Sequence, residues 1–476
     1  MGRGKSMVEH DVLVIGSGSG GSVAERALAE GLDVGLIDRG PIGGTCMNVG
    51  CVPSKLLIFV ADRVTDIRAS GKLGITAEVT DIDFTSVMSR MREGVARRQD
   101  RVREGLSAAE GLTFYEGVGR FVAERTVRVN DEILKGERVF IASGARPLVP
   151  PIDGIEDVDF ITNETVLGLE TCPDSVIMIG GGYIGTEYAH FLAAMGADVK
   201  LIQRDPLLVP NEEEEVSRLL EKRLSERMEV HTSTSVSRVR RKGNGYVATA
   251  TAGEGGEMEF HGEAVFLAAG RRSNADLIEV EKGGVETTDD GYVSANNRLE
   301  TSAENVWALG DAIGKAMFTH AASRESVIAW RNSRGESQVE MDYSAVPHAI
   351  FTDPQIAAVG MTEKEVRDRE RDYVVGRAEY MDVTKGEAML ARDGFAKALV
   401  DAGSGRILGF HIIGPHAPIL IQEVANAMAL GSTAADLMSA MHVFPAMSEI
   451  VTRALSDLKR PGDTGRTDER EEREQR

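Results

Sequence analysis

Two cysteines five residues apart, Cys46 and Cys51, stand in the run Gly43-Gly-Thr-Cys46-Met-Asn-Val-Gly-Cys51-Val-Pro53-Ser-Lys55. Pro53 falls early in a stretch that reads as a helix from Lys55 to about Ile67. Proline is tolerated in a first turn because its missing N–H has no partner there. Thiols at a helix N-terminus have lowered pKa values, since the dipole and the free N–H groups favour thiolate. Such a pair can cycle between dithiol and disulfide. A zinc site would need two more ligands at compatible spacing, and no nearby histidine or cysteine supplies them. A chance pair of buried thiols is the bland alternative. Cys172, alone ahead of Pro173, reads as an unreactive packed thiol.

The elements around this pair announce themselves by two glycine-rich turns. A strand-like run Asp11–Ile15 leads into Gly16-Ser-Gly18-Ser-Gly-Gly21, then a helical pattern from Ser22 to about Glu30 and a strand ending on Asp38. This β-turn-α-β unit carries the dinucleotide fingerprint. Gly16 permits the tight turn, Gly18 admits a pyrophosphate, Gly21 lets helix and strand pack closely, and Asp38 can accept from ribose hydroxyls. The helix N-terminus favours phosphate. The unit recurs at Ser175–Ile179, with Gly180, Gly182 and Gly185, a helix to Met195 and a strand from Asp198 to Ile202. Two such units imply two nucleotides. Between them lie a helix from Phe84 to Ala109 and short strands from Leu112 to Ala142. Beyond them, Val265–Arg272 closes the second unit and a strand from Val306 ends on Asp311. After Val346, alternating strands and two helices fill the chain to Leu458.

The composition fits an enzyme of several domains. Of 476 residues, 54 are basic and 75 acidic, giving a net charge of −21, with a pI near 5.0. That balance argues against binding nucleic acid or an anionic membrane surface. No run reaches the ~18 consecutive apolar residues of a membrane span, and the start is too polar for a secretory signal. Gly2 with Ser6 matches the loose myristoylation pattern, read as chance. Three cysteines cannot build a secreted-type framework, so the expected location is cytoplasmic. From Pro461 to Arg476 the chain reads as a disordered tail.

Taken in order, the first fingerprint, GGTCxNxGCxPSK, the second fingerprint and the Gly310-Asp311 strand end resemble the pyridine nucleotide–disulfide oxidoreductase family. Its members include dihydrolipoamide dehydrogenase, glutathione reductase and mercuric reductase. The resemblance covers about residues 8 to 458, and Val346–Pro354 and Gly409–His416 are similar to the family's interface domain. It implies an α/β fold of two Rossmann-like dinucleotide-binding domains, for FAD and NAD(P), and a C-terminal α+β dimerisation domain. The expected boundaries are 1–150 for the FAD domain, 151–275 for the NAD(P) domain, 276–345 for a return to the FAD domain, 346–460 for the interface domain and 461–476 for the tail.

Residue by residue, the resemblance implies that Gly16, Gly18, Gly21 and Asp38 hold the ADP half of FAD, although relatives more often have glutamate where Asp38 stands. Asp311 and Ala312 would hold the ribityl chain. Cys51 would lie over the flavin as the charge-transfer thiolate, and Cys46 would attack substrate. Lys55 would pair with Glu187 near the flavin. Gly180, Gly182 and Gly185 would hold the nicotinamide nucleotide, and Tyr183 matches a tyrosine that in some relatives swings to admit the nicotinamide. Gly117, Ser143, Gly144 and Gly270 are further cofactor-binding positions. Gln203 stands where NAD-preferring relatives have glutamate, and Arg204 where NADP-preferring ones have arginine, so NADPH is expected ahead of NADH.

One position departs from the family. Disulfide-reducing relatives carry His-x-His-Pro…Glu, the second histidine being the acid/base. This chain reads His442-Val-Phe444-Pro445-Ala-Met-Ser-Glu449. The orienting acid Glu449 remains, but phenylalanine moves no protons. Either His442 substitutes, or the substrate is a metal ion or soft electrophile, or its leaving thiolate is already stable. The leading expectation is therefore an FAD-dependent NAD(P)H:disulfide oxidoreductase, dihydrolipoamide dehydrogenase-like, with no metal of its own. Its partner would be a small disulfide or dithiol, or a lipoyl-bearing protein. The alternatives are a mercuric reductase-like or quinone reductase, or a bis-glutamylcystine-type reductase. A flavoprotein with no catalytic role is the third class. A homodimer is implied, in which His442 and Glu449 would reach the other chain's cysteines.

Overall fold

The computed structural model describes residues 7–253, 255–335 and 338–462; the Gly2 and Ser6 pattern and residues 463–476 of the expected tail lie outside them. Val12, Leu13 and Val14 are fully buried, an unbroken apolar run that suits a strand covered on both faces. The strand Val8–Ile15 accordingly lies inside a sheet, parallel to Val34–Asp38 on one side and to Glu132–Ile141 on the other. Leu112–Glu116 closes one edge, and Thr126–Val129 and Arg120–Ala123 extend the other as an antiparallel pair. Val306–Ala308 returns to this sheet beside Glu132–Ile141, after the chain has built a second unit.

That second unit has four parallel strands, Glu229–His231, Asp198–Ile202, Ser175–Ile179 and Ala264–Leu267 in that order, with a three-stranded meander attached. The third is a five-stranded antiparallel sheet ordered His348–Ile350, Ile356–Gly360, Ile407–Ile413, Phe395–Asp401, Tyr373–Glu379. Here the expectation of two helices is corrected: five α-helices follow residue 346 among the described residues. Three of them, Glu363–Asp368, Thr384–Ala388 and Ala434–Ser439, have five or six residues, too short to display a hydrophobic period. Two of the three carry a local signal, since Thr362 with Glu365 and Thr433 with Asp436 form capping boxes.

Two further boundaries move. The first fingerprint helix runs Ser19–Ala29, so Gly20 and Gly21 belong to it. The cysteine helix is Cys51–Arg68, and Cys46 has a short helix of its own, Gly44–Asn48. Proline at the third position disguised that start. By length and composition Gly44–Arg68 could cross a membrane, yet it packs against the helices Phe84–Ala108 and Tyr183–Met195. Leu57 and Ala61 share one buried cluster with Met88, Met91, Phe191 and Leu192. The same helix is tied to Tyr183–Met195 by Lys55 to Glu187 and by Asp62 to His190.

At the seam between the second and third units, Lys397 Nζ lies 2.8 Å from Glu213, 2.7 Å from Glu215 and 2.7 Å from Glu363. Those three carboxylates are close enough together to hold a cation, and the lysine ammonium occupies that position. Burial alone would lower the Lys397 pKa; the charges of Glu215 and Glu213 outweigh it and hold the ammonium above its ordinary value.

Candidate active site

The two helices that carry the cysteines meet at Gly50. A Cβ there would lie 3.0 Å from the Thr45 carbonyl oxygen and 3.2 Å from Cys46 Cα, so a side chain at this point would hold the two helices apart. Both cysteines are free thiols and hydrogen-bond each other. The bond from Cys46 is the main reason that the Cys51 pKa falls from 9.0 to about 6; burial opposes the fall, while Thr319 and the charge of Lys55 add to it. Cys46 moves in the other direction, pushed up by its bond to Cys51 and by burial. Their hydrogen bond thus favours thiolate on Cys51 and thiol on Cys46. Thr319 Oγ1 stands 3.6 Å from Cys51 Sγ.

One helical turn beyond Cys51, Lys55 Nζ donates to both oxygens of Glu187, at 2.7 and 2.8 Å. The Glu187 side chain is 8% exposed and also accepts the backbone N–H of Phe351 at 2.9 Å. The Phe351 ring lies 4.6 Å from the ammonium. A charge pair whose carboxylate is buried and also takes a backbone N–H is held rigidly.

The fingerprints repeat one geometry. Gly16 has φ +107°, and its Cβ would lie 2.1 Å from the Ala142 carbonyl oxygen; Gly180 has φ +109° with Ala268 oxygen at 2.3 Å. Gly185 is closed in by the Gly180 oxygen at 1.9 Å, and Gly182 faces open space. The role expected for Gly21 is corrected: nothing lies within 4 Å of its Cβ position, and Gly20 makes the close approach, 2.8 Å from Val14 Cγ1. At the strand ends, Asp38 Oδ2 accepts from the Ser17 backbone N–H and hydroxyl, at 2.6 and 2.5 Å. Gln203 Oε1 accepts from the Gly181 N–H at 2.8 Å, which puts Asp38 and Gln203 in equivalent places. Gln203 is buried, whereas the Arg204 side chain is 80% exposed and 3.6 Å from Asp205.

A family model described as pyridine nucleotide-disulphide oxidoreductase matches residues 10–326, and the dimerisation domain of the same family matches residues 346–455. This chain belongs to that family. It is 34% identical to the dihydrolipoyl dehydrogenase of Haloferax volcanii over 93% of this chain and 95% of that one. It is 32% identical to the mycothione reductase of Mycobacterium tuberculosis, over 95% and 100%. Among solved structures it is similar to the HOCl-induced flavoprotein disulfide reductase RclA of Escherichia coli in its Cu(II) complex, with a TM-score of 0.83 and 26% identity over 94% and 99% of the two chains. An enzyme of this pyridine nucleotide–disulphide oxidoreductase family works with a pyridine nucleotide and a sulfur group, and the family implies FAD.

The residues present fit FAD. Ser143 Oγ and Arg271 Nε are buried without a partner. Ser143 adjoins the Ala142 carbonyl that closes the Gly16 turn, and Arg271 lies 3.4 Å from Asp311. Gly18 and Gly44 touch backbone to backbone, since a Cβ on Gly44 would lie 2.6 Å from Gly18 Cα. Gly117 donates its N–H to the Asp38 carbonyl at 2.8 Å, and Gly144 accepts from Asn274 at 3.1 Å. Ala312 is fully buried, with its carbonyl accepting from Ser273. Gly270 accepts from the Leu148 N–H in the second unit. Asp38 Oδ1 accepts only the Gly40 N–H, which leaves it one lone pair for a ribose, and burial raises the Asp311 pKa, which suits a hydroxyl-rich neighbour.

Within the chain, the C-terminal candidates His442 and Glu449 hold separate partners. His442 does not meet Glu449: its Nε2 lies 3.2 Å from Glu423 Oε2 and its Nδ1 3.0 Å from the Ala440 carbonyl. Glu449 instead accepts the Ala446 N–H at 3.0 Å, turning back over the start of its own helix. Neither side chain hydrogen-bonds Cys46 or Cys51 within the chain. Phe444 is 74% exposed.

Sequence reasoning missed Thr319, Phe351, Phe318, Glu212 and His348. The Tyr183 ring stacks on His348 at 5.8 Å and on Phe318 at 6.3 Å between centroids, and its hydroxyl donates to Glu212. Glu212 opens a run of four glutamates, which reads as an ordinary solvated helix start. No local pattern marks the others.

Proposed function

We propose that this enzyme is an NADPH-dependent reductase of small disulfides whose thiolates leave without being protonated, working as a homodimer. The observation that carries the reading is the occupied His442 ring: both nitrogens are already bonded, and the neighbouring base position is Phe444. A positioned general base contributes roughly 10²–10⁴-fold, so a substrate that needs one would be served poorly. Dihydrolipoamide oxidation, which must strip protons from a substrate dithiol, is expected to be slow.

FAD, when bound, would relay a hydride from the nicotinamide into the cysteine pair as two electrons. The chain's own residues do the rest. Lys55, held by Glu187, keeps positive charge beside Cys51 and favours its thiolate. Cys46 gives its proton to solvent and attacks one sulfur of the substrate disulfide as thiolate, forming a Cys46–substrate disulfide and releasing the first half as thiolate. Cys51 thiolate then attacks Cys46 sulfur, forming the Cys46–Cys51 disulfide and releasing the second half as thiolate. The dithiol loses two electrons and the substrate gains two.

NADPH is supported by the missing acid at Gln203 and by the exposed Arg204, since a 2′-phosphate needs positive charge and donors. Arg204→Ala should raise the KM for NADPH about tenfold and leave NADH unaffected, the loss expected for one charge-assisted hydrogen bond. A second reading, reduction of a soft metal ion, is favoured by the likeness to a reductase solved with Cu(II). The test is steady-state turnover with NADPH and NADH against small disulfides of graded thiol pKa, lipoamide, Cu(II), Hg(II) and quinones. Rates that rise as the leaving thiol pKa falls support the proposal. Turnover of metals or quinones alone would end it.

A further inference from the structure

The helix Phe84–Ala108 carries six arginines and three acids, a local surplus of positive charge in a chain whose net charge is −21. Two contacts fix how it lies against the cysteines. Leu56 of the cysteine helix packs where Gly94 has no side chain, its Cδ1 2.9 Å from that Cβ position. Gln99 Nε2 donates to Asn48 Oδ1 at 2.7 Å, and Asn48 ends the short helix that holds Cys46. Rising numbers on the one element thus meet falling numbers on the other, so the two run antiparallel. Both helices rise about 1.5 Å per residue. Arg98 therefore stands level with Val52, the neighbour of Cys51, and Arg101 lies a turn further on, level with the link between the two cysteine-bearing helices.

Arg90, Gly94, Arg97, Arg98 and Arg101 share one side of this helix by their spacing, while Met88, Met91 and Val95 fill its buried side. The acids cancel only part of the charge. Glu93 lies 3.6 Å from Arg97, and Asp100 lies 3.2 Å from Arg103. Arg98 and Arg101 are exposed. Arg98 Nη1 bonds the Gly94 carbonyl of its own helix at 2.7 Å, and neither arginine has an acid partner among the described residues. The guanidinium nitrogens Arg98 Nη1 and Arg97 Nη2 lie 3.7 and 3.9 Å from the Gly94 Cβ position. Positive charge and the Leu56 side chain thus meet over the same bare piece of backbone, one turn along from Cys51.

We propose that Arg98 and Arg101 are specificity-determining residues that select disulfides whose halves carry free carboxylates. This rests on the disulfide-reductase reading above and names the substrate class for that same site. A small anion approaching Cys46 otherwise meets a strongly acidic chain; two uncommitted guanidinium groups beside the cysteines reverse the field there, and each can take a carboxylate through two hydrogen bonds. The sulfur exchange is untouched, because the carboxylates carry the same charge before, during and after it. Such binding is uniform along the reaction and is read in KM, with kcat unchanged.

The test compares disulfides that differ in charge. Steady-state kinetics of the FAD-loaded enzyme with NADPH would be measured on dithiobis(nitrobenzoate) and its dimethyl ester, and on dithiodipropionate and its neutral diamide. Arg98→Gln and Arg101→Gln should each raise KM for the carboxylates about tenfold, with kcat within about twofold and the neutral members unaffected. Arg90→Gln removes the same charge from the same helix at the level of Val60, two turns from the cysteines, and should alter neither member. A KM for the carboxylates that Arg98→Gln and Arg101→Gln leave unchanged, or equal losses on charged and neutral members, would overturn the proposal. Wild-type enzyme that reduces the neutral members and rejects the carboxylates would also overturn it and leave the disulfide-reductase reading standing. Wild-type enzyme that reduces neither pair would overturn the reading beneath it.

Discussion

Cys51 and Cys46 differ in proton affinity because one donates to the other, and that difference can be measured. In the reduced enzyme the Cys51 pKa lies at about 6 rather than 9.0. Thiolate is therefore present at neutral pH and is lost as pH falls through about 6. A group with a lowered folded pKa stabilises the fold fully above its unfolded value of 9.0, and that contribution fades between pH 9 and pH 6. The rate of alkylation of the reduced protein against pH should show an inflection near 6, absent in Cys51→Ser; an inflection near 9 alone would contradict the pairing. The base position offers a second measurement. Phe444→His should raise disulfide reduction by at least about tenfold if a proton limits turnover, most for substrates with high-pKa thiols. His442→Ala should change turnover less than twofold, because both its nitrogens serve Glu423 and Ala440. A large loss on that change would restore His442 as the proton carrier. The cysteines and the fingerprint glycines were legible because their pattern lies within one local run, whereas Lys55 with Glu187, 132 residues apart, came only through the family resemblance. Glu212 with His348, and Cys51 with Thr319, meet across 136 and 268 residues, and nothing in the local order of residues announces such pairs.

Strands and long helices followed from pattern: the buried runs Val12–Ile15 and Val176–Ile179 are apolar throughout and proved central in their sheets. Where propensity and packing disagree, the pattern misleads. Gly20 and Gly21 read as turn but lie in a helix, because a small residue at Gly20 is what lets that helix reach Val14. Lys397 tests another limit of pattern, a lysine inside the strand Phe395–Asp401 whose residues are otherwise nearly all buried and apolar. Its presence is explained by carboxylates from two other elements. Lys397→Met should cost about 3–5 kcal/mol, the loss typical when one partner of a buried ionic group is removed, read as a lower denaturant midpoint. A change under 1 kcal/mol would mean that the carboxylates hold together without it.

Over the whole molecule, the C-terminal unit leaves large apolar side chains uncovered: Ile419 at 72%, Leu430 at 83%, Met441 at 101%, Val443 at 74% and Phe444 at 74%. A second copy of the chain is the expected cover, in keeping with the family's dimerisation domain. Sedimentation should give twice the chain mass, and Leu430→Lys with Ile419→Asp should halve it; a wild-type monomer would leave these side chains without an occupant. The Lys397 cluster bears on movement at the same scale. It staples the start of the helix Glu214–Ser225 to the antiparallel sheet, so swinging the nucleotide-binding unit away from its neighbour would pull Lys397 off Glu213 and Glu215. Crystals grown with and without a dinucleotide should therefore superpose across both units as one block.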